Sequence, residues 1–391
     1  MRILSRPSLR WQTLIPRHNG HIRRINSQAP GEPFKILFFG RDEFSCAVFE
    51  RLHAAQDVWQ SICIATHPDE RVGRRGSQLS VSPLKSLGES IGVPVHTIPS
   101  ERPLFRQWKP PIPFNLNSSP PPQNHLLVTA SFGRILSSSL LSQFAPGRRL
   151  NVHPSLLPSY RGPAPIQHAL LNGDTRTGVC VIEMLPFSRS KDATGGIDAG
   201  ELWAREEVAI PENANFPALR DNLARKGGDL LADTLRRMLA GNVSCTPQPS
   251  FPASDLRAHA RAITPADALV DFTRMTAETI VRRHRAIAHH KPLTAMLRTT
   301  ADGASRAVQL LTPSANSDTN AFAEGAAPGM ATYKDHTISV CCAEGSVLSV
   351  QVLKTEGKRE AQAKEWWNGV PEVWKVDREG SKWIMFQSST T

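Results

Sequence analysis

The sequence predicts an α/β protein, a doubly wound and mainly parallel sheet, followed by a smaller β-barrel domain of the OB type. Three observations lead there. Short apolar runs alternate with amphipathic helical stretches from residue 34 to residue 241. A stretch rich in proline and small polar residues, 242–256, then reads as a linker. Beyond it the pattern changes to one helix and several short β-like runs over 257–375, with a tail at 376–391. At 391 residues the chain exceeds one typical domain, and 40% hydrophobic residues suffice for a sizeable core.

Lys35-Ile36-Leu37-Phe38-Phe39-Gly40 is an apolar run closed by glycine, a buried first strand and its turn. Phe44, Val48 and Leu52 then recur at helical spacing. Ser61 to Ala65 is the second strand, Pro83 to Ile91 a helix, and Val93-Pro94-Val95 opens the third strand. Leu126 to Ala130 is the fourth strand and runs into Ser131-Phe132-Gly133. The glycine after the first strand is not followed by G-x-G-x-x-G, so a dinucleotide site is not predicted. Residues 102–124 are rich in proline and asparagine and read as a surface insertion without a stable core. Pro163 to Leu171 is a helix with proline in its first turn. Residues 178–182 and 202–208 are further strands. Leu219, Leu223, Leu230, Leu235 and Met238 mark an amphipathic helix over 217–240, ended by Gly241. In the second domain a helix is predicted over 271–288, and strands over 307–311, 336–342 and 346–353.

The first 31 residues hold six arginines and no acidic residue, with Leu4, Leu9, Trp11, Leu14 and Ile15 interspersed. That is the composition of a mitochondrial transit peptide; a disordered basic tail is the alternative. Without those arginines the formal charge falls from +11 to +5, a mildly basic surface that suits a polyanionic partner. No run approaches 18 apolar residues, which argues against a spanning helix. The six cysteines form no C-x-x-C pair and read as reduced, mostly buried thiols rather than zinc ligands, so no metal is expected.

The chemistry concentrates in Asn151-Val152-His153-Pro154-Ser155-Leu156-Leu157-Pro158. Asn151 and His153 are two apart in an extended segment and share a face. Asp198 follows 45 residues after His153, in a Gly-Ile-Asp-Ala-Gly turn. An amide donates to a developing oxyanion, an imidazole relays a proton, and a carboxylate holds the imidazole in one tautomer. Residues 185–195 look like a short insertion just before the turn, which makes Asp192 the runner-up for the carboxylate; it lacks the glycine-flanked turn.

The string NVHPSLLPSYRGPAPIQ, residues 151–167, resembles the core of the folate-dependent formyltransferases. Its extension through residue 179 resembles the branch acting on methionyl-tRNA rather than the glycinamide ribonucleotide branch. Ile263-Thr264-Pro265-Ala266-Asp267, Gly345-Ser346-Val347-Leu348 and Glu356-Gly357-Lys358-Arg359 extend the resemblance over 34–370. The turn at Gly40 is similar to the family's Gly-Thr-x-x-Phe loop, from which Arg41 departs. The resemblance implies a Rossmann-like catalytic domain in which Asn151, His153 and Asp198 act on 10-formyltetrahydrofolate, the formyl donor. It implies that Ser155, Leu156, Leu157 and Pro158 line the folate pocket. The amine is then the α-amino group of initiator methionyl-tRNA, in a monomeric enzyme of the mitochondrial matrix. The basic loop 67–76 resembles the inserted loop that meets the acceptor arm in that branch, which singles out Arg71, Arg74 and Arg75. Arg282 and Arg285 share a helix face with His289 and offer either a second anion-binding stripe or an ordinary solvated face. Two rival readings remain: formyl transfer to a small amine such as a sugar nucleotide, and an RNA-binding protein on a decayed catalytic fold.

Overall fold

The computed structural model describes residues 31–115, 119–186, 196–249, 259–299, 304–316, 322, 326–378 and 381–387. The arginine-rich leader expected at 1–31 lies outside them except for Gly31, as do Asp192 and most of the expected insertion at 185–195.

The first domain contains strands β1 (Phe34–Phe39), β2 (Trp59–Thr66), β3 (Glu70–Val72), β4 (Gln78–Ser80), β5 (Val95–Thr97), β6 (His125–Ala130), β7 (Arg149–His153), β8 (Arg176–Glu183) and β9 (Leu202–Ala209). Its helices are α1 (Glu43–Ala54), α2 (Pro83–Ser90), α3 (Arg102–Gln107), α4 (Ser138–Leu141), α5 (Pro165–Leu171) and α6 (Phe216–Leu239). The main sheet runs β5-β2-β1-β6-β7-β8-β9; it is parallel through β7, and β8 and β9 are antiparallel. β3 and β4 form a separate hairpin.

Successive residues of β1 serve opposite faces, as strand geometry requires. Ile36 and Phe38 join Leu126, Val128 and the helices α1 and α6 in one core. Leu37 and Phe39 point the other way, to Phe105, Phe114, Leu141 and Phe144. This corrects the reading of 102–124. The segment is proline-rich, but Phe105 and Phe114 are buried and close the second face of the sheet, with Trp108 edge-on to Phe39. Gly227 and Gly228 of α6 would be costly in a free helix. Here a Cβ on Gly227 would stand 2.7 Å from Val152, and one on Gly228 2.5 Å from Arg51, so both glycines are needed for α6 to press against β7 and α1.

The second domain adds α7 (Ala277–Ile287), β10 (Leu293–Arg298), β11 (Ser305–Leu310), β12 (Pro313–Asn316), β13 (Met330–Lys334), β14 (Thr337–Cys341), β15 (Val347–Val350), β16 (Val352–Thr355), β17 (Glu360–Gln362), α8 (Ala363–Asn368), β18 (Val376–Arg378) and β19 (Ser381–Gln387). Its strands pair antiparallel in the order β12-β15-β14-β13-β19-β10-β11-β16-β17. The residues expected as a tail include β19, which lies between β13 and β10 and buries Ile384 and Phe386. The expected linker is also ordered over its first half: Val243 and Cys245 are buried, and Thr246 pairs with Leu202.

Candidate active site

β7 is where the sheet changes direction. Asn151 lies in register with Thr129 of β6 on the parallel side and with Ile182 of β8 on the antiparallel side. The chain then leaves the sheet through the Ser155–Tyr160 turn, with a cis Leu157–Pro158 bond and Tyr160 at φ 60.

Asn151, His153 and Asp198 come together there. Asp198 sits at φ 56 in the turn before β9. Its Oδ1 accepts the Asn151 amide N–H at 3.3 Å, and its Oδ2 accepts the Gly162 N–H at 3.0 Å. The same Oδ2 lies 3.6 Å from His153 Nδ1. His153 is buried, and its Nε2 is 3.0 Å from the Tyr160 carbonyl oxygen. A carbonyl only accepts, so Nε2 carries a proton. Nδ1 is left facing the carboxylate, which repels a lone pair and attracts an N–H. The carboxylate so orients the imidazole, whose ring can take part in general acid–base chemistry.

Two supports of this trio come from residues not singled out in the sequence. Thr129 Oγ1 donates to Asn151 Oδ1 at 2.7 Å. Gln248, inside the expected linker, donates from Nε2 to the carbonyls of Asp198 and Gly200, each at 2.7 Å. Its Oε1 accepts from Arg161 Nε at 3.0 Å and Nη2 at 2.6 Å. Gly200 itself permits the turn to meet β8, because a Cβ there would fall 1.8 Å from the Glu183 carbonyl oxygen.

A cavity of about 480 Å³ opens beside the trio, within the few-hundred-to-1,000 Å³ range typical of small-molecule sites. Ser155, Leu156, Leu157 and Pro158 are not among the residues lining this cavity. Ser155 is fully buried and donates to the Ser159 carbonyl at 2.7 Å; Leu157 packs on Cys180, Ile182 and Leu202. They shape the turn from behind. The wall is formed instead by Ser131, Phe132, Gly133, Arg134, Ile135 and Leu136, which directly follow β6. The rule that ligands bind beyond the carboxyl ends of parallel strands contained that information.

Phe44, Ile166, Phe216 and Arg220 form another part of the wall, with Asp42. Asp42 caps α1 by accepting the Ser45 N–H at 3.1 Å, and it accepts the Ser131 hydroxyl at 2.5 Å. Burial raises its carboxyl pKa above the ordinary value, an effect the Ser131 hydrogen bond partly offsets. His67 is buried beneath the same loop, bonded through Nε2 to the Phe132 carbonyl at 2.9 Å, and burial lowers its pKa.

The basic loop 67–76 is the β3–β4 hairpin. Arg71 and Arg75 are exposed on it, and Arg75 closes its tip at φ 57. The side chain of Arg74 lies outside the described residues. The other predicted cations are placed differently from the open stripe expected. Arg282 Nε donates to the Leu171 carbonyl at 3.0 Å. Arg285 donates to the Glu212 carbonyl and to Asn213. The His289 ring stacks on Phe216, centroids 3.8 Å apart. All three join the second domain to the first.

Comparison with known proteins agrees with this arrangement. The model described as formyl transferase matches residues 34–235, and the one described as formyl transferase, C-terminal domain, matches 262–371. A methionyl-tRNA formyltransferase of Lactiplantibacillus plantarum is 29% identical over 335 residues, covering 85% of this chain and 95% of that one. One from Symbiobacterium thermophilum is 34% identical over 253 residues, covering 65% and 69%. Among solved structures, a sugar 3N-formyl transferase superposes with a TM-score of 0.53 at 13% identity, over 84% of this chain and all of that one, a likeness of fold.

Proposed function

The chain belongs to the formyl transferase family, and we propose that it moves the formyl group of 10-formyltetrahydrofolate onto the α-amino group of initiator methionyl-tRNA. The observation that carries this reading is the Asn151–His153–Asp198 cluster at the wall of the cavity. The names of relatives that match 85% and 65% of this chain support the choice of amine over a sugar nucleotide.

The amine is itself the nucleophile. Its nitrogen adds to the formyl carbon to give a tetrahedral oxyanion; the bond from that carbon to the donor nitrogen then breaks, and the amine proton ends on the departing tetrahydrofolate. The Asn151 amide has two N–H groups, and one of them meets Asp198. The other is free to donate to the oxygen of the tetrahedral intermediate. His153 stabilises that charge, and the His153–Asp198 pair carries the proton between the two nitrogens. No covalent enzyme intermediate is required. Arg71, Arg74 and Arg75 on the hairpin suit the phosphates of an acceptor arm. The acid-free, arginine-rich composition of residues 1–31 supports delivery to the mitochondrial matrix; a fluorescent reporter fused behind those residues should enter mitochondria, and a cytosolic reporter would refute the placement.

The test of function uses protein lacking residues 1–31, labelled 10-formyltetrahydrofolate, and either initiator methionyl-tRNA or free methionine. Formylation of the charged tRNA alone is expected. Transfer to neither amine would overturn the reading.

A further inference from the structure

We propose that Thr129 is a positioning residue for this reaction: its hydroxyl fixes which way round the Asn151 amide sits. The inference rests on the formyl-transfer reading above. The two ends of an asparagine amide have nearly the same shape and opposite polarity, so a half-turn about the last bond exchanges donor for acceptor. Only one orientation presents N–H to an oxyanion.

Thr129 is buried on β6, directly across from Asn151 in the parallel ladder. Its hydroxyl has one proton and two acceptors in reach, Asn151 Oδ1 at 2.7 Å and the Met184 thioether at 3.3 Å. A thioether is a weak acceptor, and the amide oxygen is nearer and stronger. A flipped amide would have the hydroxyl accept an N–H and donate only to the thioether, so donation to Oδ1 is favoured and the NH2 group is turned toward Asp198 and the cavity.

Asp198 favours the same orientation while it is a carboxylate, because a flipped amide would set oxygen against oxygen. The hydroxyl of Thr129 does not exchange protons in the reaction. It keeps the amide in its working orientation through the whole cycle, including the proton-transfer step that Asp198 itself takes part in. Thr129 borders the cavity, but it is not among the reacting groups.

The experiment compares Thr129→Val, Thr129→Ser and Thr129→Ala with the wild type, each alone and, for Thr129→Val, combined with Asn151→Ala. kcat, the KM for the folate donor and Tm are measured for each. Loss of one neutral hydrogen bond predicts that Thr129→Val lowers kcat by about 3- to 10-fold with KM unchanged. Thr129→Ser should restore kcat. In the Asn151→Ala background Thr129→Val should have no further effect, because no amide is left to orient. Should valine disturb folding, the serine and alanine variants give the same comparison, hydroxyl present against hydroxyl absent. A folded Thr129→Val protein with wild-type kcat overturns the proposal. So does an equal loss in the Asn151→Ala background, which would show that Thr129 acts through packing. A wild-type protein that transfers no formyl group would sink the functional reading instead.

Discussion

Gln248→Leu tests whether the placement of Asp198 depends on a residue far from it in sequence. The amide of Gln248 is saturated: two N–H bonds go to the Asp198 and Gly200 carbonyls, and the oxygen accepts two bonds from Arg161. Leucine keeps the bulk and removes all four. Asp198 is held at φ 56, a left-handed conformation that costs a non-glycine residue about 1 kcal/mol, less for Asp than for most. The two carbonyl bonds contribute about 1 kcal/mol each, more than enough to hold that conformation. Without them the carboxylate still meets Gly162 N–H, the Asn151 amide and the His153 ring. A loss of about 2 kcal/mol in the population of the working turn would lower kcat by up to about 30-fold.

The assay is formyl transfer under saturating donor, beside a thermal melt. Gln248→Glu separates the contributions: its carboxylate still receives Arg161 but cannot donate to the carbonyls. It should therefore be at least as impaired as Gln248→Leu. Wild-type turnover in folded Gln248→Leu would refute the reasoning, since Asp198 would then hold its place unaided. Wild-type turnover in Gln248→Glu would show that only the Arg161 contact matters.

Three further outcomes are expected. Asn151→Ala should lower kcat by about 100- to 1,000-fold, the usual effect of removing an oxyanion donor, with little change in melting temperature because Asn151 is only half-buried. Arg71→Ala combined with Arg75→Ala should raise KM for charged tRNA and make its salt dependence shallower by about two phosphate contacts, while the folate KM stays constant. Asp42→Asn should raise the melting temperature at pH 7. Burial raises the folded pKa of Asp42, so its favourable contribution is complete below the unfolded value of about 3.9 and is lost as pH rises through the folded value. Asparagine also accepts the Ser45 N–H as a cap and never ionises. Melting curves of both proteins should diverge above that range and converge below it; a constant difference at all pH values would refute the assignment.

The strands of the catalytic sheet were legible because each is a buried run rich in Ile, Leu, Val and Phe, and buried parallel strands have few ways to look otherwise. Asn151, His153 and Asp198 were legible because residue type, spacing and a glycine-flanked turn coincided. What escaped has a common cause. Phe105 and Phe114 lie among prolines, and composition over a window conceals two aromatics that each find a pocket on a sheet face. Gln248 is one polar residue in a polar stretch, and only the fold brings it to Asp198. β19 carries the apolar run Trp383-Ile384-Met385-Phe386, but its partners β10 and β13 are about 90 and 50 residues earlier, too remote for local pattern to pair them. The loop after β6 carries no distinctive motif, and only the fold shows that it bounds the cavity beside the trio.

The joint between the domains bears on the site more directly than a flexible linker would. Phe216 opens α6, lines the cavity on one side and carries the His289 ring on the other. Burial, with the nearby charges of His290 and Arg220, pushes the His289 pKa down to about 4. The ring is therefore neutral at physiological pH, which spares a charge beside the neighbouring Arg220. Arg285 reaches the loop just before α6, and Arg282 the end of α5, whose first turn also borders the cavity. Both helices that the second domain grips are thus helices that shape the cavity. A ligand that displaced α7 would have to move Phe216 or the end of α5, while one that bound the β3–β4 hairpin would not. Arg282 and Arg285 of α7 thus help hold the two helices that shape the cavity, while Arg71 and Arg75 stand exposed on the hairpin.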